Sequence, residues 1–234
     1  MNILITGASR GIGKAIATIF AANGHTVFLS SRNAELLSGT AAALQAQYPA
    51  AKIRSQAFDL SSKEGATGLA AWFMQYAPAP DILVNNAGNF EPGSVHNEPE
   101  GLLENQMAAN LYSAYHLTRA LLPGMMKEGR GRHIFNMCSI ASLKAYNNGG
   151  AYSISKFALY GFSKNLREEM KPYGIKVTAV LPGAVLTDSW QGFDNSEKRI
   201  MEAEDIAQMV YAAAHLSVQA CVEDIVIRPQ LGDL

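Results

Sequence analysis

Short apolar runs and longer amphipathic stretches alternate along this chain. Strand-like runs fall at 2–6, 25–30, 52–58, 81–85, 132–138, 175–181 and 223–228. Helical patterns occupy the intervals at 11–23, 33–47, 62–76, 99–127, 151–172 and 203–216. Continuously apolar strands separated by helices predict a parallel sheet covered on both faces. Right-handed crossovers make it a doubly wound, seven-stranded α/β sheet, with ligands at the carboxyl ends of its strands. Within 99–127, Leu103, Met107, Leu111, Ala114 and Thr118 recur at three- and four-residue steps, which predicts one packing face. Gly174 stands where a left-handed cap would end the 151–172 helix. Residues 186–202 have no clear period and are expected to form a loop beside the site.

The length of 234 residues suits a single domain spanning 1–234. With 48% hydrophobic and 17% charged residues, the chain can bury a sizeable core. A net charge of −1, without a basic block, argues against nucleic acid as a partner. No apolar run reaches the length of a membrane span. Because a strand-like run starts at Asn2, no leader is expected. Cys138 and Cys221 lack metal-ligand spacing, so they are expected to be reduced, mostly buried thiols of a cytoplasmic protein.

The first chemistry-bearing segment is Thr6-Gly7-Ala8-Ser9-Arg10-Gly11-Ile12-Gly13, between the first strand and the first helix. Its glycines permit a tight turn and let backbone N–H groups approach a pyrophosphate, and the helix N-terminus adds its dipole. The second strand ends Leu29-Ser30-Ser31-Arg32-Asn33, with no carboxylate to bond a ribose hydroxyl or repel a 2′-phosphate. Arg10 and Arg32 would clamp that phosphate while Ser31 donates a hydroxyl, which indicates NADP(H). A solvated helix-start arginine is the rival reading of Arg32.

The second segment is Tyr152-Ser153-Ile154-Ser155-Lys156, where a phenol and an ammonium four residues apart share one helix face. A nearby positive charge favours the phenolate and lowers tyrosine's pKa from about 10, as a general acid–base catalyst requires. Alone, such a pair is an ordinary solvated face. Its weight comes from the nucleotide signature at the other end of the chain.

Further residues complete a pattern: Asp59 and Leu60 after the third strand, Asn85-Asn86-Ala87-Gly88 after the fourth, and Asn110 inside the long helix. Ser139 follows the fifth strand, and Pro182-Gly183 with Val185 and Thr187 follows the sixth. In this order the motifs resemble the short-chain dehydrogenase/reductase family, nearly end to end. The resemblance implies a Rossmann-like fold and a site of Asn110, Ser139, Tyr152 and Lys156. It implies Asp59 beside the adenine and Val185 and Thr187 at the carboxamide. Gly7, Ser9, Arg10, Gly11, Ile12, Gly13, Asn86, Ala87, Gly88 and Pro182-Gly183 would line the cofactor, with Lys156 also on the nicotinamide ribose.

The expected activity is reduction of a small-molecule ketone or aldehyde, or alcohol oxidation in reverse. Ser139 would hold the carbonyl oxygen, Tyr152 would give the proton, and Asn110 would position a water that reprotonates Lys156. A 3-oxoacyl-carrier-protein reductase is the alternative, with Arg130 and Arg132 as a basic rim for an acidic carrier, or merely a charged turn before a strand. A non-catalytic NADP-binding regulator is more remote, because tyrosine, lysine, serine and asparagine all stand. Substrate specificity is expected from Ile140, Ala141, Leu143, Tyr146, Asn147 and the 186–202 loop. The resemblance also implies a homodimer or homotetramer pairing the 99–127 and 151–172 helices.

Overall fold

A computed structural model describes residues 1–187, 190 and 192–233. Seven strands form one parallel sheet: β1 (Asn2–Thr6), β2 (Thr26–Ser30), β3 (Lys52–Ser55), β4 (Ile82–Asn85), β5 (His133–Met137), β6 (Lys176–Pro182) and β7 (Asp224–Ile227). Their order is β3-β2-β1-β4-β5-β6-β7, and all pairings are parallel. The order reverses between β1 and β4, which opens a crevice at their carboxyl ends. The sheet matches the expectation to within one residue at most strand ends. The third strand is the exception: regular pairing stops at Ser55, while Gln56 and Phe58 still donate backbone bonds to Leu29 and Ser31.

Successive side chains on a strand point to opposite faces, so each strand feeds two cores. Ile3 and Ile5 pack with Ile16, Phe20, Ile206 and Val210 on one side. Leu4 between them packs with Phe73, Leu83, Leu117 and Leu166 on the other. The first side is covered by α1 (Gly11–Ala22), α2 (Ala34–Gln47) and α7 (Ala203–Ala214). The second side is covered by α3 (Lys63–Met74), α5 (Ser113–Glu128) and α6 (Gly150–Met170).

The predicted helix 99–127 is α4 (Leu102–Met107), a π-helical turn at Ala108–Tyr112, and α5. A π-turn inserts one extra residue and slips the helix phase. Downstream of it Ala114 and Thr118 are buried as expected, but upstream the inward positions are Leu102 and Gln106, while Leu103 is 38% exposed. The expected single stripe is therefore corrected: it breaks at the turn that carries Asn110. Gly174, at φ +66°, ends a short 3₁₀ turn after α6 as expected.

Among the described residues, no helix is long and apolar enough to cross a membrane. Arg132 pairs with Asp81 at 3.0 Å and Glu128 at 3.4 Å, at the amino end of β5. Arg130 packs beneath Gly174 at the same edge. Both lie across the sheet from the carboxyl-end crevice, so the expected basic rim is not at its entrance.

Candidate active site

Two adjoining cavities occupy the carboxyl edge of the sheet. The first, of about 660 Å³, runs over β1, β2 and β4. Gly7, Ser9, Arg10, Gly11, Ile12, Ser31, Arg32, Asp59, Leu60, Asn86, Ala87, Gly88 and Thr187 all line it, as the motifs imply. Gly13 does not: an added Cβ there would overlap the Gly7 carbonyl oxygen, so Gly13 lets α1 close on β1. Asn86 anchors this floor by donating to the Thr6 and Gly7 carbonyls at 3.0 and 3.1 Å. Ser61 donates to the Asp59 carboxyl from its hydroxyl and its N–H, which with Arg32 nearby holds that carboxyl below the usual range.

The second cavity, of about 470 Å³, brings Ser139, Tyr152 and Lys156 together with Pro182, Gly183, Val185 and Thr187. Ile12, Asn86, Gly88, Asn89, Phe90 and Thr187 line both, so one groove leads into the other. Ser139 caps a 3₁₀ turn at Ile140–Ser142, its hydroxyl accepting from Ala141 N–H at 3.1 Å. Ser142 donates to the Lys156 carbonyl at 2.8 Å and ties that turn to α6. The Lys156 ammonium, on a residue only 7% exposed, donates to the Met137 carbonyl at 2.8 Å. It lies 5.7 Å from the centre of the Tyr152 ring.

Asn110 lines neither cavity. It is fully buried in the π-turn, behind Gly88. Its amide donates toward the Asn89 carbonyl, the Gln106 side chain and the Ser155 hydroxyl at 2.8–3.1 Å. Its oxygen accepts from Asn89 N–H at 2.9 Å. A Cβ at Gly88 would stand 2.5 Å from that oxygen, so the close approach requires glycine. The other half of the motif is structural as well: Asn85 donates to Thr118 and Asn136 at 2.9 and 2.8 Å, joining β4 to α5 and β5.

Of the expected specificity residues, Ile140, Ala141 and Tyr146 line the second cavity, and Leu143 and Asn147 do not. From the 186–202 segment, Thr187 and Trp190 line it, and Asp188, Ser189 and Gln191 lie outside the described residues. Burial, with Tyr152 alongside, pushes the Tyr146 phenol up to about 12, which leaves Tyr146 protonated. Cys138 reaches the cavity wall but is buried, and its thiol is pushed up to about 11 and stays protonated.

The structure also places residues that the motifs did not indicate. Phe90 meets Tyr152 edge-on, ring centres 4.9 Å apart. Its only sequence signal was its position two residues after Gly88. Asp233 lines the second cavity from the far end of the chain and pairs with Lys144 at 3.0 Å and Arg228 at 2.6 Å. Those contacts, Arg228 foremost, hold its carboxyl below the usual range. Nothing in the local sequence marks it.

A crevice at the strand-order reversal, a glycine cradle and a buried lysine beside a tyrosine define a dinucleotide-dependent oxidoreductase site. Residues 1–198 match the short chain dehydrogenase family model, and the chain belongs to that family. A sepiapterin reductase of Chlorobaculum tepidum is 34% identical over 240 residues, covering 99% of this chain and 97% of that protein. A metagenomic short-chain oxidoreductase solved in complex with NADP is 30% identical, with a TM-score of 0.85 over 98% of this chain and 97% of that one. L-sorbose reductase from Gluconobacter frateurii, solved with NADPH and L-sorbose, is 25% identical, with a TM-score of 0.88 over 97% and 94% of the two chains.

Proposed function

We propose that the protein is an NADP(H)-dependent reductase of small ketones or aldehydes. The observation that carries the reading is one continuous groove, lined by the Gly7–Ile12 turn with Arg10 and Arg32 at one end and by Ser139, Tyr152 and Lys156 at the other. The groove fits the cofactor: Gly7 and Gly11 line it in the left-handed conformation that glycine favours, at φ +63° and +53°, and the α1 N-terminus lies beside it. Arg10, Arg32 and Ser31 supply donors where a 2′-phosphate would lie, and the stretch Ser31–Asn33 directly after β2 holds no carboxylate to oppose it. The NADP and NADPH complexes of two related structures support the same choice.

When bound, a reduced nicotinamide supplies the hydride chemistry. The chain's own residues do the rest. The Ser139 and Tyr152 hydroxyls hold the substrate oxygen and stabilise the negative charge that grows on it. Tyr152 gives its proton to that oxygen. Lys156, fixed by the Met137 carbonyl, presents a positive charge toward the phenolate left behind. Asn110 acts from behind the wall: its bonds to Asn89 and Ser155 hold the loop after β4 against α6, around the route by which a water would reprotonate Lys156.

Phe90, Tyr146, Tyr152 and Trp190 line the substrate cavity, which favours a flat, largely apolar carbonyl compound. Sepiapterin, the substrate in the name of the 34% relative, belongs in the screen for that reason. The carrier-protein reading loses its support with Arg130 and Arg132 at the opposite edge. Exposed Tyr112, Ile154 and Phe157 support pairing of the long helices in a homodimer or larger assembly.

A screen of ketones, aldehydes, diketones and acyl thioesters, followed by loss of NADPH absorbance, tests the activity. Tyr152→Phe should then lower kcat by roughly 10²–10⁴-fold while NADPH binding stays within twofold. Wild-type turnover in that variant would refute the assignment.

A further inference from the structure

Tyr152 is only the third residue of α6, so its position depends on how that helix begins. Helix starts leave backbone N–H groups unsatisfied, and a side chain at the N-cap normally accepts from one of them. Here the N-cap is Gly149, which has no side chain to offer, and the first turn contains no acidic residue. The loop before it is open: residues 143–148 are all exposed. A frayed first turn would carry the tyrosine with it.

The missing acceptor comes from another part of the chain. The Glu98 carboxylate accepts from Ala151 N–H at 3.1 Å, across 53 positions of sequence. Its approach is built in. Gly93 N–H donates to the Asn148 carbonyl at 3.1 Å, and the Ser94 hydroxyl donates to the Asn148 side chain at 2.8 Å. Asn148 adopts a left-handed backbone, φ +58°, to receive both. Glu98 N–H bonds back to the Ser94 carbonyl at 2.9 Å, which places its carboxylate over the helix end. A Cβ on Gly150 would overlap that carboxylate and crowd the Gly93 carbonyl, so this position admits only glycine. The same loop carries Phe90 onto the Tyr152 ring.

The geometry points to Glu98 as a positioning residue for the reaction: an N-cap supplied from a distant part of the chain by the loop after β4, which fixes the first turn of α6 and thereby Tyr152. A carboxylate is also the group that the positive end of a helix favours. The inference rests on Tyr152 as the proton donor, and its test separates the two claims.

Glu98→Ala, Glu98→Gln and Tyr152→Phe are made in the full chain and assayed with the best carbonyl substrate from the screen. Hydrogen exchange of the 149–156 segment is measured alongside. Glu98→Ala should lower kcat at least tenfold, leave the NADPH dissociation constant within twofold, and speed exchange in 149–156 at least tenfold, with β1 and β4 unchanged. Glu98→Gln keeps an oxygen acceptor and should restore both kcat and exchange to within threefold of wild type. Unchanged exchange in Glu98→Ala overturns the cap, as does a Gln variant no better than Ala, or a parallel loss of NADPH binding and kcat. Should Tyr152→Phe retain turnover, the proposed function fails and the exchange data still decide the cap. If Tyr152→Phe is inactive while Glu98→Ala turns over normally, only the positioning role fails.

Discussion

The nucleotide groove is assembled from strand ends and the short turns that leave them: Gly7 to Ile12 after β1, Ser31 and Arg32 after β2, Asn86 to Gly88 after β4. The substrate cavity draws instead on distant segments, with Ser139 and Tyr146 from one loop, Thr187 and Trp190 from another, and Asp233 from near the chain's end. Short turns on a sheet are fixed by the sheet, so the first region has little freedom to vary. Loops held by a few side-chain pairs can change while the sheet stays as it is. A sheet-fixed groove should therefore respond steeply to single changes, and the loop-built wall of the cavity, apart from Ser139, Tyr152 and Lys156, should respond weakly.

The largest effect on stability is expected at Gly13, where α1 meets β1. Gly13→Ala forces a methyl group onto the Gly7 carbonyl, and overpacking costs about 1–3 kcal/mol. Calorimetry should show a Tm lower by roughly 2–12 °C, with NADPH affinity reduced in parallel. An unaltered Tm would mean that the cradle is looser than its geometry.

Cofactor choice comes next. Losing charge-assisted bonds to a 2′-phosphate should make Arg32→Asp bind NADPH roughly 10- to 100-fold more weakly with NADH no worse. Fluorescence titration measures both, and equal losses for the two nucleotides would break the assignment.

Acid should divide the sheet along the same line. His133 at the foot of β5 is 2% exposed; Thr178 donates to the Val222 carbonyl, so His133 Nε2–H donates to Thr178, and Nδ1 has no partner among the described residues. Burial, and then Lys176, pushes its imidazole down to about 3. The unfolded chain, with a pKa near 6.5, binds a proton that the folded one refuses. This contribution to stability is complete above pH 6.5 and is lost as pH falls toward 3, by up to about 1.4 kcal/mol per unit. Hydrogen exchange at pH 4.5 should show β5–β6 opening before β1–β2, whose three central facing pairs, Ile3–Val27, Leu4–Phe28 and Ile5–Leu29, are apolar. Simultaneous opening would erase the distinction.

The smallest effect belongs to the cavity wall. Lys144 is 55% exposed, and pairs of that kind contribute about 0–1 kcal/mol. Asp233→Ala should therefore raise KM by roughly two- to fivefold and leave kcat unchanged. A kcat loss would show that the tail does more than close the wall.

How much was readable along the chain follows the same division. The seven strands and the turn glycines announced themselves because apolar runs and glycine spacing are local. Tyr152 and Lys156 were readable because a four-residue spacing puts them on one helix face, and Ser139 only through the family resemblance. The phase of the long helix was misread before Asn110, since a π-turn leaves no mark in a hydrophobic pattern. Of the two readings of Arg130 and Arg132, the charged turn before a strand holds, because residues that precede β5 lie at its amino end, away from the crevice.

Alone, then, the amino-acid order determined the sheet, its crossovers and the candidate site residues, because propensity, periodicity and the spacing within each motif act between near neighbours. Tertiary structure decided what only distance in space can decide: that Phe90 rests on Tyr152, that Glu98 caps a helix 53 positions away, and that Asp233 lines the cavity. Such contacts arise when loops of unrelated sequence are brought together by the packing of the elements they join, and no local pattern encodes them.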